Sequence, residues 1–227
     1  MFPSWFLEWD PRDETVQNVL QTGMFLPLRG FDKRGRYPIL VRLGQMIPSK
    51  MTAEECWKQI IMMFNLINEG NLQAQTKGMV VIIDLENMNS SHVGLVNPSL
   101  IRKLLVVFQD AYPMDNEILL SLSNAYFLNM PKMMEKFVNI AISFLNKKYK
   151  KILKIQDKNN LTLLDDLGGE ILPEEYGGTN QTCDQLTHFW MSEMVKHSDW
   201  FNQQVKYKTD ESVRQGKSKL HSSCSVM

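Results

Sequence analysis

Cysteine is scarce in this chain of 227 residues: Cys56, Cys183 and Cys224 are odd in number, far apart, and form no C-x-x-C pair. That excludes a disulfide framework and a zinc ribbon, and it fits a reducing, cytoplasmic compartment. The four histidines, His92, His188, His197 and His221, stand at no metal-ligand spacing from one another or from a cysteine. An excess of either charge is missing too, because 25 Lys and Arg balance 25 Asp and Glu. No chain-wide attraction for nucleic acid is expected from such a balance. The opening Met1-Phe2-Pro3-Ser4-Trp5-Phe6-Leu7-Glu8 has no basic start and soon meets Asp10 and Asp13, so it does not read as a secretion signal. Without secretion, the glycosylation patterns at Asn89, Asn160 and Asn180 are chance matches. Apolar runs such as 79–83 and 104–108 fall far short of the ~18 residues of a membrane span. The dinucleotide, Walker, zinc-protease and G-x-S-x-G motifs are all absent, so neither an enzyme nor a cofactor is expected.

What is present is ordinary in bulk, with 44% hydrophobic and 22% charged residues, and suits one well-buried domain with short extensions. Methionine, at 15, is plentiful. Its flexible thioether serves equally as core filler and as the wall of a pocket that adapts to an ill-shaped apolar guest. Strand and helix signals alternate along the chain. A helical lead-in closes at Gly23, and Tyr37 to Leu43 is β-rich after the turn Asp32-Lys33-Arg34-Gly35. Thr52 with Glu55 forms a capping box for a helix to about Asn68. Gly78 to Leu85 is apolar on both faces, as a central parallel strand must be. Asn97-Pro98 opens a helix over 99–111, Glu117 to Leu122 suggests a strand, Pro131 to Lys151 a long helix, and Ile152 to Ile155 a last strand. Such alternation implies βαβ crossovers and a mostly parallel sheet. Asp84 and Glu86 end the central strand on alternate faces, so they fit a helix cap or salt bridge better than an acid/base pair.

The helix expected over 131–151 is apolar over an arc of ~200°, twice the stripe an ordinary surface helix needs. Met133, Met134, Phe137, Val138, Ile140, Ala141, Ile142, Phe144 and Leu145 make up that arc. Its second flank could cover another helix, or it could face a lipid on one side and a membrane on the other. The helix ends in Lys147, Lys148, Lys150 and Lys151, with Lys154 just beyond. Cations suit a helix C-terminus, and beside a wide apolar face they also suit anionic lipid.

Three ordered landmarks resemble the CRAL-TRIO lipid-binding family. These are the strand Lys77 to Met88, the helix end Gln109-Asp110-Ala111-Tyr112-Pro113, and Leu172-Pro173-Glu174-Glu175-Tyr176-Gly177-Gly178, which matches LP-x-x-[YF]-GG. The nearest branch resembles the α-tocopherol transfer and retinaldehyde-binding proteins. The likeness implies an α/β fold whose mixed, mostly parallel sheet floors a lipid pocket, covered by helices with a movable gate at 131–151. It implies a remnant of an N-terminal helical module at 1–22, the lipid domain at 23–178, and a C-terminal helix and flexible tail at 179–227. Matched pocket positions are Trp57, Ile61, Phe64, Val81, Ile83, Leu104, Val107, Phe108, Tyr112, Met114, Leu119, Phe127, Phe137, Ile140 and Phe144. The lysines from Lys147 to Lys154 would meet membrane phosphoinositides, although Asp115 and Glu117 replace a basic pair found in the tocopherol carrier.

The function implied is that of a monomeric, non-enzymatic carrier. It would hold one isoprenoid-like, tocopherol or retinoid lipid in the cytoplasm and exchange it while peripherally bound to membranes. Phosphatidylinositol or phosphatidylcholine exchange, or a lipid-regulated adaptor, are the alternatives. The adaptor would use the helix expected over 184–203, whose Leu186, Phe189, Trp190, Met194 and Val195 serve equally to pack on the domain. Cys224-Ser225-Val226-Met227 matches a farnesylation box as well as an incidental four-residue pattern.

Overall fold

A computed structural model of the chain describes residues 9–94, 100, 122–145, 147–155, 161–204 and 206. Helix α1 (Glu14–Leu20) leads through Gly23, at φ 60°, into strand β1 (Phe25–Pro27). Strand β2 (Tyr37–Arg42) follows a turn in which Asp32 accepts from the backbone N–H groups of Arg34 and Arg36 and from the Arg36 guanidinium. Helix α2 (Ala53–Gly70) opens on the expected capping box: Glu55 N–H donates to Thr52 Oγ1 at 3.2 Å and Thr52 N–H to Glu55 Oε2 at 2.7 Å. Short α3 (Leu72–Lys77) then returns the chain to β3 (Met79–Asp84). Strand β4 (Leu122–Leu128), a 3₁₀ turn at Lys132–Met134, α4 (Glu135–Ser143), α5 (Lys147–Lys150) and β5 (Leu153–Ile155) continue the pattern. Helices α6 (Leu161–Leu167), α7 (Cys183–Lys196) and α8 (Ser198–Gln204) complete it.

The five strands lie in the order β1-β2-β3-β4-β5, with β1 antiparallel to β2 and every later pair parallel. This is the mixed, mostly parallel sheet expected. The right-handed rule for crossovers between parallel neighbours puts the described helices that join β2 to β3 and β4 to β5 on one face of the sheet. Side chains alternate across it, so the register sorts them into two sets. Leu40, Val80, Ile82, Tyr126 and Leu128 share one face and none is more than 1% exposed. Ile39, Val41, Val81, Ile83, Ala125 and Phe127 share the other, the crossover side, which Phe64 of α2 reaches by packing on Phe25 at 5.2 Å.

Several expectations change. The helix foreseen over 131–151 is broken into a 3₁₀ turn and two helices. Ser143 Oγ donates back to Ile140 O at 2.6 Å, Leu145 N–H to Ile142 O at 3.1 Å, and Lys150 Nζ reaches Ser143 O at 3.3 Å, so these three carbonyls of the last α4 turn find partners without further helix. The helix foreseen over 184–203 divides at His197, whose N–H is shared between Glu193 O and Met194 O. Strand β4 occupies 122–128, later than the suggested start, and 117–121 lie outside the described residues. Strand β1, α3 and α6 were not foreseen, since runs of three to seven residues carry too little periodicity. Of the helix expected over 99–111, only buried Leu100 is described.

Candidate lipid site

At the middle of the crossover face three apolar side chains are only partly buried among the described residues. Strand β3 has two strands on each side, yet Val81 and Ile83 remain half-buried, as does Phe127 beside them on β4. On the opposite face the equivalent positions are closed. Of the wall residues expected on the helices, Trp57 on α2 and Phe137 on α4 are half-buried and pack against the core, Ile61 is fully buried and Phe64 is 8% exposed. Every one of these side chains is uncharged, as a cradle for an apolar guest requires. Leu104, Val107, Phe108, Tyr112, Met114 and Leu119, the other expected wall residues, lie outside the described residues, as do Asp115 and Glu117.

Helix α4 divides its apolar side chains into two rows. Met134 and Val138 are buried and Ile142 is half-buried, whereas Met133, Ile140 and Phe144 are 47%, 39% and 41% exposed. Ile140 and Phe144 were expected at the inner wall. Both are partly exposed in the structure, while Met134 and Val138 fill the row that meets the core. Lys147, Lys150 and Lys151 extend the exposed basic end, and the side chain of Lys148 lies outside the description. Lys154 is withdrawn from that cluster. Its Nζ donates to Asp166 Oδ2 at 2.6 Å and lies 5.1 Å from the centre of the Tyr126 ring. The Tyr126 hydroxyl donates to the same oxygen at 2.7 Å. The lysine lowers the Asp166 pKa, with the tyrosine hydrogen bond second, and the bond to Asp166 raises that of Lys154.

Asp84 is neither a helix cap nor a described ion pair. Only 5% exposed, it accepts from Tyr176 Oη at 2.5 Å, Asn129 Nδ2 at 3.0 Å and Glu86 N–H at 2.9 Å. This explains the LP-x-x-Y-G-G segment atom by atom. Tyr176 ties it to the end of β3, Gly177 adopts φ 78°, and a Cβ on Gly178 would stand 1.9 Å from Leu172 O. Burial, followed by the Asp84 charge, pushes the Tyr176 pKa up, so the phenol stays a donor. Tyr126, Asn129 and Asp166 carried no recognisable motif. Cys224 lies outside the described residues. Among the described residues no helix is long and apolar enough to cross a membrane, and no group of three His, Cys, Asp or Glu could hold a metal ion.

Comparison with known proteins adds to this geometry. The CRAL/TRIO domain model matches residues 21–178. An α-tocopherol transfer protein-like protein from Homo sapiens is 23% identical over 190 residues, 84% of this chain and 53% of the relative. Clavesin-2 from Rattus norvegicus is 23% identical over 205 residues, 90% of this chain and 59% of the relative. The chain thus spans little more than half the length of these relatives. The crystal structure of Sfh5 superposes with a TM-score of 0.55 at 15% identity, covering 92% of this chain and 72% of that one, a likeness of fold.

Proposed function

The chain belongs to the CRAL/TRIO domain family, and from that premise we propose that it encloses one hydrophobic lipid on the crossover face of its sheet and carries it between membranes. The observation that carries the reading is the contrast between the two faces of β3, one closed and one leaving Val81 and Ile83 half-buried at the centre of a five-stranded sheet. The described residues expected at the wall, Trp57, Ile61, Phe64, Phe127 and Phe137, are all uncharged, which favours an isoprenoid-like, tocopherol or retinoid guest over a phospholipid, whose phosphate would need a partner. Relatives named for α-tocopherol transfer agree with that choice.

Sequestering ~20 methylenes at ~0.8 kcal/mol each keeps a lipid from escaping through water, so exchange needs a shielded path. The segment 130–153 serves as the gate. Its exposed Met133, Ile140 and Phe144 enter the bilayer surface, and Lys147, Lys150 and Lys151 meet anionic headgroups, phosphoinositides included. Binding to the open form by the membrane biases the gate toward it. In this reading the protein is a carrier and not a catalyst, a monomer peripheral to cytoplasmic membranes. Cys56 and Cys183 are free, buried thiols, in keeping with that compartment.

Native mass spectrometry of gently purified protein tests the proposal. One tocopherol- or retinoid-sized lipid per chain, delivered to acceptor vesicles, is the expected result. A phospholipid at the same stoichiometry would transfer the reading to phosphatidylinositol or phosphatidylcholine exchange. Absence of any lipid, with none taken up from vesicles, would leave an adaptor.

A further inference from the structure

Sulfur in the described part of this protein is hidden from solvent, with one exception. Of the 15 methionines, Met1, Met114 and Met227 lie outside the described residues, and nine of the other twelve are buried, none more than 6% exposed. Met130 and Met191 are half-buried against the core. The free thiols of Cys56 and Cys183 belong to residues 1% and 2% exposed. Burial pushes both up to about 12, so neither supplies thiolate at neutral pH. Met133 alone among the described sulfur side chains stands in the open, at 47% exposure, while Met134 beside it in the same 3₁₀ turn is 2% exposed. Access decides which thioether a dissolved oxidant reaches first.

We propose that Met133 is a site of reversible oxidation by hydrogen peroxide, and that its sulfoxide weakens the hold of this protein on membranes. The consequence rests on the carrier reading, in which Met133 enters the bilayer surface together with Ile140 and Phe144; the site itself does not. In the oxidation the thioether sulfur attacks one peroxide oxygen, so that an S–O bond forms as the O–O bond breaks and the sulfur loses two electrons. The other oxygen departs as hydroxide, takes up the proton shed by the new sulfoxide, and leaves as water. A dithiol, acting through a methionine sulfoxide reductase, reverses the change: the dithiol becomes a disulfide, the thioether returns, and the oxygen leaves as water. A sulfoxide is a polar hydrogen-bond acceptor, which favours water over the acyl boundary that a thioether can enter. At Met134 the same change would set a dipole in the core and disturb the fold. At Met133 it alters the surface alone.

The test treats the full chain with hydrogen peroxide at neutral pH, stops the reaction with free methionine, and maps sulfoxides by peptide mass spectrometry. Met133 should oxidise at least about tenfold faster than Met134. Once Met133 is converted and Met134 is not, the thermal midpoint should hold. Binding to vesicles of phosphatidylcholine with phosphatidylserine should by then have fallen about tenfold. Methionine sulfoxide reductases with dithiothreitol should restore it. Met133→Leu should bind as the wild type does and keep its binding after peroxide, and Met133→Gln should bind about tenfold less without any oxidant. Oxidation of Met134 as fast as Met133 overturns the site. Binding that survives oxidation of Met133 overturns the consequence and leaves the carrier reading standing. A loss in peroxide-treated Met133→Leu as large as in the wild type also overturns it, by assigning the effect to another side chain. An untreated wild-type chain that binds no vesicles refutes the membrane part of the carrier reading and the consequence together, whereas the order of oxidation still judges the site.

Discussion

Replacing Ile140 and Phe144 together by Asp probes the exposed flank of α4 directly. At 39% and 41% exposure these two side chains offer roughly 150 Å² of apolar surface, worth ~4 kcal/mol if wholly buried at ~25 cal/mol per Å². Headgroup-level insertion recovers about half of that, ~2 kcal/mol, which corresponds to about 30-fold in partitioning. The double variant should therefore lose at least about 30-fold in binding to vesicles. Its thermal midpoint should hold, because neither side chain is buried. Lys147, Lys150 and Lys151 act differently. Each is worth ~1 kcal/mol near an anionic surface, and salt screens that attraction. Changing all three to Gln should abolish the preference for anionic vesicles and leave weak binding to neutral ones. Sedimentation with sucrose-loaded vesicles at low and high salt reads both effects. A double Asp variant that keeps its fold and sediments within about threefold of wild type would refute the assignment of this flank to the membrane.

Tyr176→Phe removes one of three donors to buried Asp84 and should cost about 1.5–3 kcal/mol in urea unfolding. Gly178→Ala should cost more than about 2 kcal/mol, because its Cβ would meet Leu172 O at 1.9 Å and the backbone must move. Burial pushes the thiols of Cys56 and Cys183 up to about 12, so peptide mapping after a thiol reagent at neutral pH should find both unmodified until the chain unfolds. For the Lys154–Asp166 tie, the folded Asp166 pKa is lowered and that of Lys154 is raised. Its stabilisation is present between the ordinary carboxylate and ammonium ranges; it is lost as pH falls through the folded Asp166 value or rises through the folded Lys154 value. Tyr126 and Arg34 also act on Asp166 and favour its charged form. Hydrogen exchange of the β5 amides, compared with Asp166→Asn, should show a wild-type advantage at neutral pH that fades below about pH 4.

Much of the architecture was legible in the residues themselves. The doubly apolar run at 78–85 gave away a central strand, Thr52 with Glu55 marked a helix start, and the wheel of 131–151 showed more apolar surface than one core contact can use. The landmark Leu172 to Gly178 could be recognised as a pattern, but its purpose emerged only when Tyr176 met Asp84, 92 residues away in sequence.

By itself the amino-acid sequence determined what neighbours within a few residues can settle: strand and helix periods, caps, glycine turns and the apolar excess of residues 131–151. Tertiary structure alone decided which flank of α4 is exposed, that Lys154 leaves the basic cluster for Asp166, and that one face of β3 closes while the other stays half-open. The physical reason is range. A helix turn or cap is satisfied by residues three or four places away, whereas an ion pair or a pocket wall depends on which distant segments the sheet brings together.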